Sequence, residues 1–187
     1  LRNSNHYVKM KPSNLVDHVY AFCKAHWKEG RRVVLNRFPA ENIRFVRERL
    51  KTLFEEKEAK AIVCSAACGS DLLALEAAGE LGLRRRIILP SEPEKFRESS
   101  VADCSGKWGE IFDSICKKSL ESDDIVVMKS DKNDDELYLE ANKRILDEAA
   151  ALASSKADKS NTNASRGNPL NEVLVVIVWE GASRGED

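Results

Sequence analysis

A chain of 187 residues suffices for one domain with a full core. Its 42% hydrophobic and 33% charged residues are those expected of a soluble globular protein. A formal net charge of −1 offers nucleic acid no general attraction, and no apolar run nears the roughly 20 residues a membrane helix needs.

In chain order, Leu1 to Lys11 is polar, with no signal-peptide core, so a cytoplasmic protein is expected. Residues 14–29 carry Leu15, Val16, Val19, Tyr20, Phe22, Cys23 and Trp27 at helical spacing, and Gly30 stops the pattern. Residues 1–31 are thus expected to form an N-terminal helical segment packed on the core of a main domain, 32–187. Val33-Val34-Leu35 predicts a first strand over Arg32–Asn36, followed by a turn at Asn36-Arg37-Phe38-Pro39. Glu41–Glu58 reads as a charged helix with a stripe of Ile43, Val46, Leu50, Leu53 and Phe54. Ala59–Ser65 is a second strand and Ser70–Leu81 a helix ended by Gly82. Arg86–Pro90 is a third strand and Ser91–Gly106 an irregular loop. Lys107–Ser119 is a helix with Trp108, Ile111, Phe112 and Ile115 on one face. Asp124–Met128 is a fourth strand, and Asp134–Ser154 a long helix. Residues 155–169, rich in Ser and Asn, predict a flexible loop. Leu174–Trp179, a continuous apolar run, is the fifth strand.

This alternation predicts an α/β fold. Its sheet is doubly wound, mainly parallel, Rossmann-like and of about five or more strands, with helices on both faces. Ligands of such sheets sit at the carboxyl ends of the strands.

One of those ends is Ser65-Ala66-Ala67-Cys68-Gly69-Ser70-Asp71, between an apolar strand and a helix. Small residues there leave the backbone N–H groups of a helix N-terminus open to an anion. Ser65 and Ser70 add hydroxyls. Asp71 has two readings, as a helix cap or as a contact for ribose hydroxyls. A second candidate is the end of the last strand, where Gly181, Ser183, Arg184 and Gly185 suit a phosphate cradle or a flexible connection. In a third, Arg97, Ser99 and Ser100 follow the third strand. Tyr138, Glu140 and Asn142 read as a solvated helix face.

Catalytic patterns are sparse. The three histidines lie in the N-terminal segment, and neither a metal cluster nor a Ser-His-Asp set can be drawn. The absence of a G-x-G-x-x-G pattern and of a Walker-type lysine after Gly69 disfavours a dehydrogenase or P-loop enzyme. Five cysteines without a CxxC pair read as reduced, mostly buried thiols. No cofactor is expected. The chain starts without Met, which reads as a trimmed chain or as part of a longer multidomain protein.

Ser65 to Asp71 with Glu76, Ile87-Ile88-Leu89-Pro90, Phe96 to Val101 and Val178-Trp179-Glu180-Gly181 together resemble the SLOG branch of the LOG-like ("lysine decarboxylase-like") superfamily. These are Rossmann-type nucleotide-binding proteins, and the similarity spans about residues 32–185. The resemblance implies a sensor or regulatory domain for a nucleotide-derived ligand, cytoplasmic signalling and a homodimer; other members of the family bind DNA, which the net charge of −1 disfavours here. It implies one alternative activity, a phosphoribohydrolase cleaving nucleoside monophosphates at the N-glycosidic bond, with Glu76 and Arg97 as catalytic residues. The hydrolases of the superfamily carry Pro-Gly-Gly-x-Gly-Thr-x-x-Glu; here one glycine stands in place of three, Leu73 lies four after Gly69, and Glu76 comes a turn late. A non-catalytic interaction module is the third reading.

Overall fold

The computed structural model describes residues 40–102, 104, 106–129, 134–155 and 173–176. The expected N-terminal helix, first strand and turn at 14–39 lie outside the described residues. So does nearly all of the 155–169 loop and the Gly181, Ser183, Arg184, Gly185 group.

Among the described residues five helices and three strands follow one another: α1 (Ala40–Glu56), β1 (Ala61–Cys64), α2 (Ser70–Glu80), β2 (Arg84–Leu89), α3 (Pro93–Ser100), α4 (Trp108–Glu121), β3 (Ile125–Val127) and α5 (Asp134–Ser155). The strands form one parallel sheet in the order β1-β2-β3. Ala61 to Cys64 register with Arg84 to Ile87, and Ile87 to Leu89 with Ile125 to Val127. Parallel neighbours need a crossover, which α2 provides between the first two strands and α3 with α4 between the second and third. The fold is α/β with a parallel sheet, as expected.

The apolar stripe of α1 explains its position. Leu50, Leu53 and Phe54 are buried, and α1 lies along α2. α2 ends in a reciprocal pair of backbone bonds. Gly82 N–H donates to Gly79 O at 3.3 Å and Leu83 N–H to Ala78 O at 2.8 Å, with Gly82 at φ +67°. This left-handed C-terminal turn suits glycine and reverses the chain into β2. Side chains alternate along β2. Ile87 and Leu89 join a core with Leu72 and Leu73 of α2 and Phe112 of α4. Arg86, of the opposite parity, reaches Glu148 of α5 at 3.1 Å, and α5 lies along β1 and β2. Thus α2 and α4 lie against one face of β2 and α5 against the other.

Two expectations are corrected. Residues 91–106 are not wholly a loop, because α3 occupies Pro93–Ser100. Proline at its first turn pre-sets the helical φ, and Phe96, fully buried, anchors it to Phe112 with ring centroids 6.1 Å apart. Of the expected fifth strand, Leu174–Trp179, only residues 174–176 are described; they are not in a strand, and Leu174 and Val176 are each 41% exposed, while 177–179 lie outside the described residues. An apolar run signals a covered strand only where helices close over both faces. The described sheet has three strands.

Candidate functional site

The carboxyl end of β1 runs into α2 through residues 65–69. Gly69, the residue before the first helical turn, has φ +94° and ψ −122°. That conformation is open to glycine and closed to residues with a Cβ. The turn is tied from inside. Ser65 Oγ–H donates to Asp71 Oδ2 at 2.8 Å, and Ala67 N–H donates to the same oxygen at 3.3 Å. Asp71 therefore does not cap the helix by the usual side-chain bond, and none is present at Gly69. It folds the turn back on itself. Burial pushes the Asp71 carboxyl above the ordinary carboxylate range, against the opposing pull of the Ser65 and Ala67 hydrogen bonds. Burial, then the charge of Asp71, pushes the neighbouring Cys64 thiol well above its ordinary value. Cys64 is a thiol at neutral pH.

What remains open at the turn is specific. Among the described residues the amides of Gly69, Ser70 and Asp71 donate to no carbonyl, and Ser70 Oγ has no partner, while the Asp71 carboxyl takes a further hydrogen bond from the Ser65 backbone N–H. The first N–H groups of a helix have no intrahelical acceptor.

Ser99 and Ser100, at the end of α3, are brought beside this turn. Cys68 N–H donates to Ser100 O at 3.0 Å. Ser100 Oγ lies 2.8 Å from Tyr138 Oη, and Ser99 Oγ lies 3.3 Å from both. The N-terminus of α2, the C-terminus of α3 and the first turns of α5 thus converge at one end of the sheet. Tyr138 is not on a solvated face, as its spacing suggested. It is partly buried against the core and gathers the two serines. Its signal in the sequence was position alone, one turn into the helix that follows β3.

The same place holds a disulfide, Cys68–Cys104, with Cα atoms 6.6 Å apart. The expectation of reduced cysteines is corrected for this pair. A separation of 36 residues has no local signature, and the α3 helix that brings the two together was read as loop. Cys64 and Cys116 are free thiols, and burial, followed by the charge of Asp113, raises Cys116 to about 12.

Two further candidates sit elsewhere. Arg97 forks onto Asp113, with Nε to Oδ1 at 2.7 Å and Nη2 to Oδ2 at 2.9 Å. The pair is largely solvent-exposed and lies over Gly109, where a Cβ would meet Arg97 Nη2 at 2.6 Å. Asp113 holds the guanidinium above its ordinary range. Glu76 lines an open groove of about 470 Å³ with Arg85, Glu110, Ser114 and Lys118. Six residues of helix, about 9 Å, separate it from Ser70. At 100° per residue, the Gly109–Asp113 edge and the Ile111–Ser114–Lys118 face lie on opposite sides of α4. Arg97 and Glu76 therefore do not meet around one ligand.

Among the described residues no three His, Cys, Asp or Glu gather as metal ligands, and no helix is long and apolar enough to cross a membrane. Comparison of the chain with protein families, with curated proteins and with solved structures finds no match.

Proposed function

We propose that this chain binds a nucleotide-derived ligand at the turn between β1 and α2, as a SLOG-like sensor or regulatory domain. One observation carries the reading. Three unengaged amides (Gly69, Ser70 and Asp71) stand beside the Ser70 hydroxyl and the Ser99–Ser100–Tyr138 hydroxyls. The amides suit an anionic phosphate at a helix N-terminus. The serine–tyrosine group suits a ribose hydroxyl and other polar edges of the ligand, while the buried Asp71 carboxyl holds the turn through Ser65 and Ala67. The doubly wound sheet of five or more strands, the homodimer and the cytoplasmic setting belong to the same proposal. The hydrolase alternative gains no support, since Glu76 and Arg97 lie on opposite sides of α4.

The test is a thermal-shift screen with nucleoside mono- and diphosphates, cyclic nucleotides and ADP-ribose, followed by assay of each hit for released base. A sensor is stabilised by about 2.7 kcal/mol at a hundredfold excess over Kd, with the ligand intact. Gly69→Val abolishes that shift, because the side chain excludes the required backbone conformation. Released base that disappears in Glu76→Gln shows the hydrolase instead. No shift with any member of the panel sinks the proposal and leaves an interaction module.

A further inference from the structure

The Cys68–Cys104 disulfide stands inside the candidate site. Cys68 precedes Gly69 directly, and its own N–H is bonded to Ser100 O at 3.0 Å. Cys104 belongs to the connection between α3 and α4. The bond thus staples the anion-facing turn to the segment that follows the two serines. A backbone hydrogen bond from Cys68 also joins turn and α3.

We propose that Cys68–Cys104 is a thiol-operated latch on the Gly69 turn: oxidised, it holds the turn in its ligand-competent form; reduced, it loosens the turn and weakens its grip on a phosphate group. The regulatory half rests on the reading of the turn as an anion site. The reductant is a dithiol. Its thiolate bonds to one cysteine sulfur, the Sγ–Sγ bond breaks, and the other cysteine leaves as a thiolate and takes a proton. The second thiol of the reductant then closes its own disulfide and frees the remaining cysteine. Two electrons and two protons pass to the protein, and the dithiol is oxidised. The direction follows from preorganisation: a turn held in its bound shape loses less freedom on binding.

The experiment uses the full chain, oxidised or treated with dithiothreitol, with inorganic phosphate at low ionic strength as the probe. Thiol tagging and mass spectrometry first establish the pairing, and unpaired Cys68 and Cys104 in the untreated protein overturn the proposal. Amide hydrogen exchange is then followed across residues 65–72 and 84–89. Reduction is expected to speed exchange at the turn on the order of tenfold while β2 stays protected. Cys104→Ser is expected to show the fast turn without reductant and no further response to it. Cys64→Ser is expected to behave as the parent chain. Phosphate is expected to bind the oxidised form about fivefold or more tightly. Equal affinity in both forms overturns the regulation. Absence of phosphate binding in both overturns the anion reading and the regulatory half with it, whereas unchanged exchange on reduction overturns the latch itself.

Discussion

At the residue scale, Asp71 contributes more than position. Its Oδ2 takes hydrogen bonds from Ser65 and Ala67, yet burial raises its pKa above the ordinary 3.8. The folded state therefore holds the Asp71 proton more tightly than the unfolded chain does. By linkage, stability is lost as pH rises from the unfolded value through the raised folded value, and is flat beyond it. Each unit of elevation corresponds to about 1.4 kcal/mol. Asp71→Asn keeps a carbonyl that accepts from both Ser65 and Ala67, and carries no charge to bury. Urea unfolding of both proteins at a series of pH values is expected to show the variant gaining on the parent chain as pH climbs above about 3.8, then a constant gap. A gap independent of pH across that window overturns this account of Asp71. Much of this corner was legible in the sequence. Small residues ending a strand and leading into a helix mark the turn, and Gly69 has the positive φ that such a turn demands. The inward fold of Asp71 was not legible, because a short carboxylate at a helix start serves equally as cap, ligand contact or internal tie.

At the element scale, legibility followed periodicity. The stripe Ile43, Val46, Leu50, Leu53, Phe54 placed α1, and Trp108, Ile111, Phe112 and Ile115 placed α4, to within a residue or two. Helix α3 escaped because eight residues with the single large apolar side chain Phe96 form no repeat. Its remaining signal was Pro93 at the first turn. Phe96 is fully buried against Phe112, so tertiary packing holds this helix where isolated propensity would not. Phe96→Ala is expected to cost about 3–5 kcal/mol, measured by urea unfolding. Hydrogen exchange is expected to concentrate the loosening in α3 and in the Ser99–Ser100–Tyr138 contact. A loss below about 1 kcal/mol, or a loosening spread evenly over the sheet, contradicts the role given to Phe96. At the foot of β2 another feature was unreadable. Arg84 Nε and Nη2 both bond Asp124 Oδ1, and Arg86 bonds Glu148, so three successive arginines begin a strand rather than precede one. Paired charges allow a strand start that hydropathy alone places two residues later.

At the scale of the whole molecule, the alternation of strands and helices was enough for a parallel α/β sheet, since each parallel pair requires a crossover. The order β1-β2-β3 runs one way, and a doubly wound sheet needs a further strand on the far side of β1 to reverse it. The extent of the sheet was the part hydropathy could not settle: residues 174–176, the described half of the apolar run Leu174–Trp179, are not in a strand. The disulfide acts on this same scale. Joining positions 68 and 104, it encloses α2, β2 and α3 in one covalent loop of the unfolded chain. Closing a loop of that length restricts the unfolded ensemble, and the folded state gains stability of about 2–4 kcal/mol. Urea midpoints of the oxidised chain and of the chain held reduced by a phosphine are expected to differ by that amount. The Cys68→Ser, Cys104→Ser double variant is expected to match the reduced chain and to ignore the reductant. Coincident midpoints for the oxidised and reduced chains mean that the unfolded chain is not restricted by the bond. The double variant separates this global effect from a strained native turn: if it is more stable than the oxidised chain, the staple distorts the fold it joins.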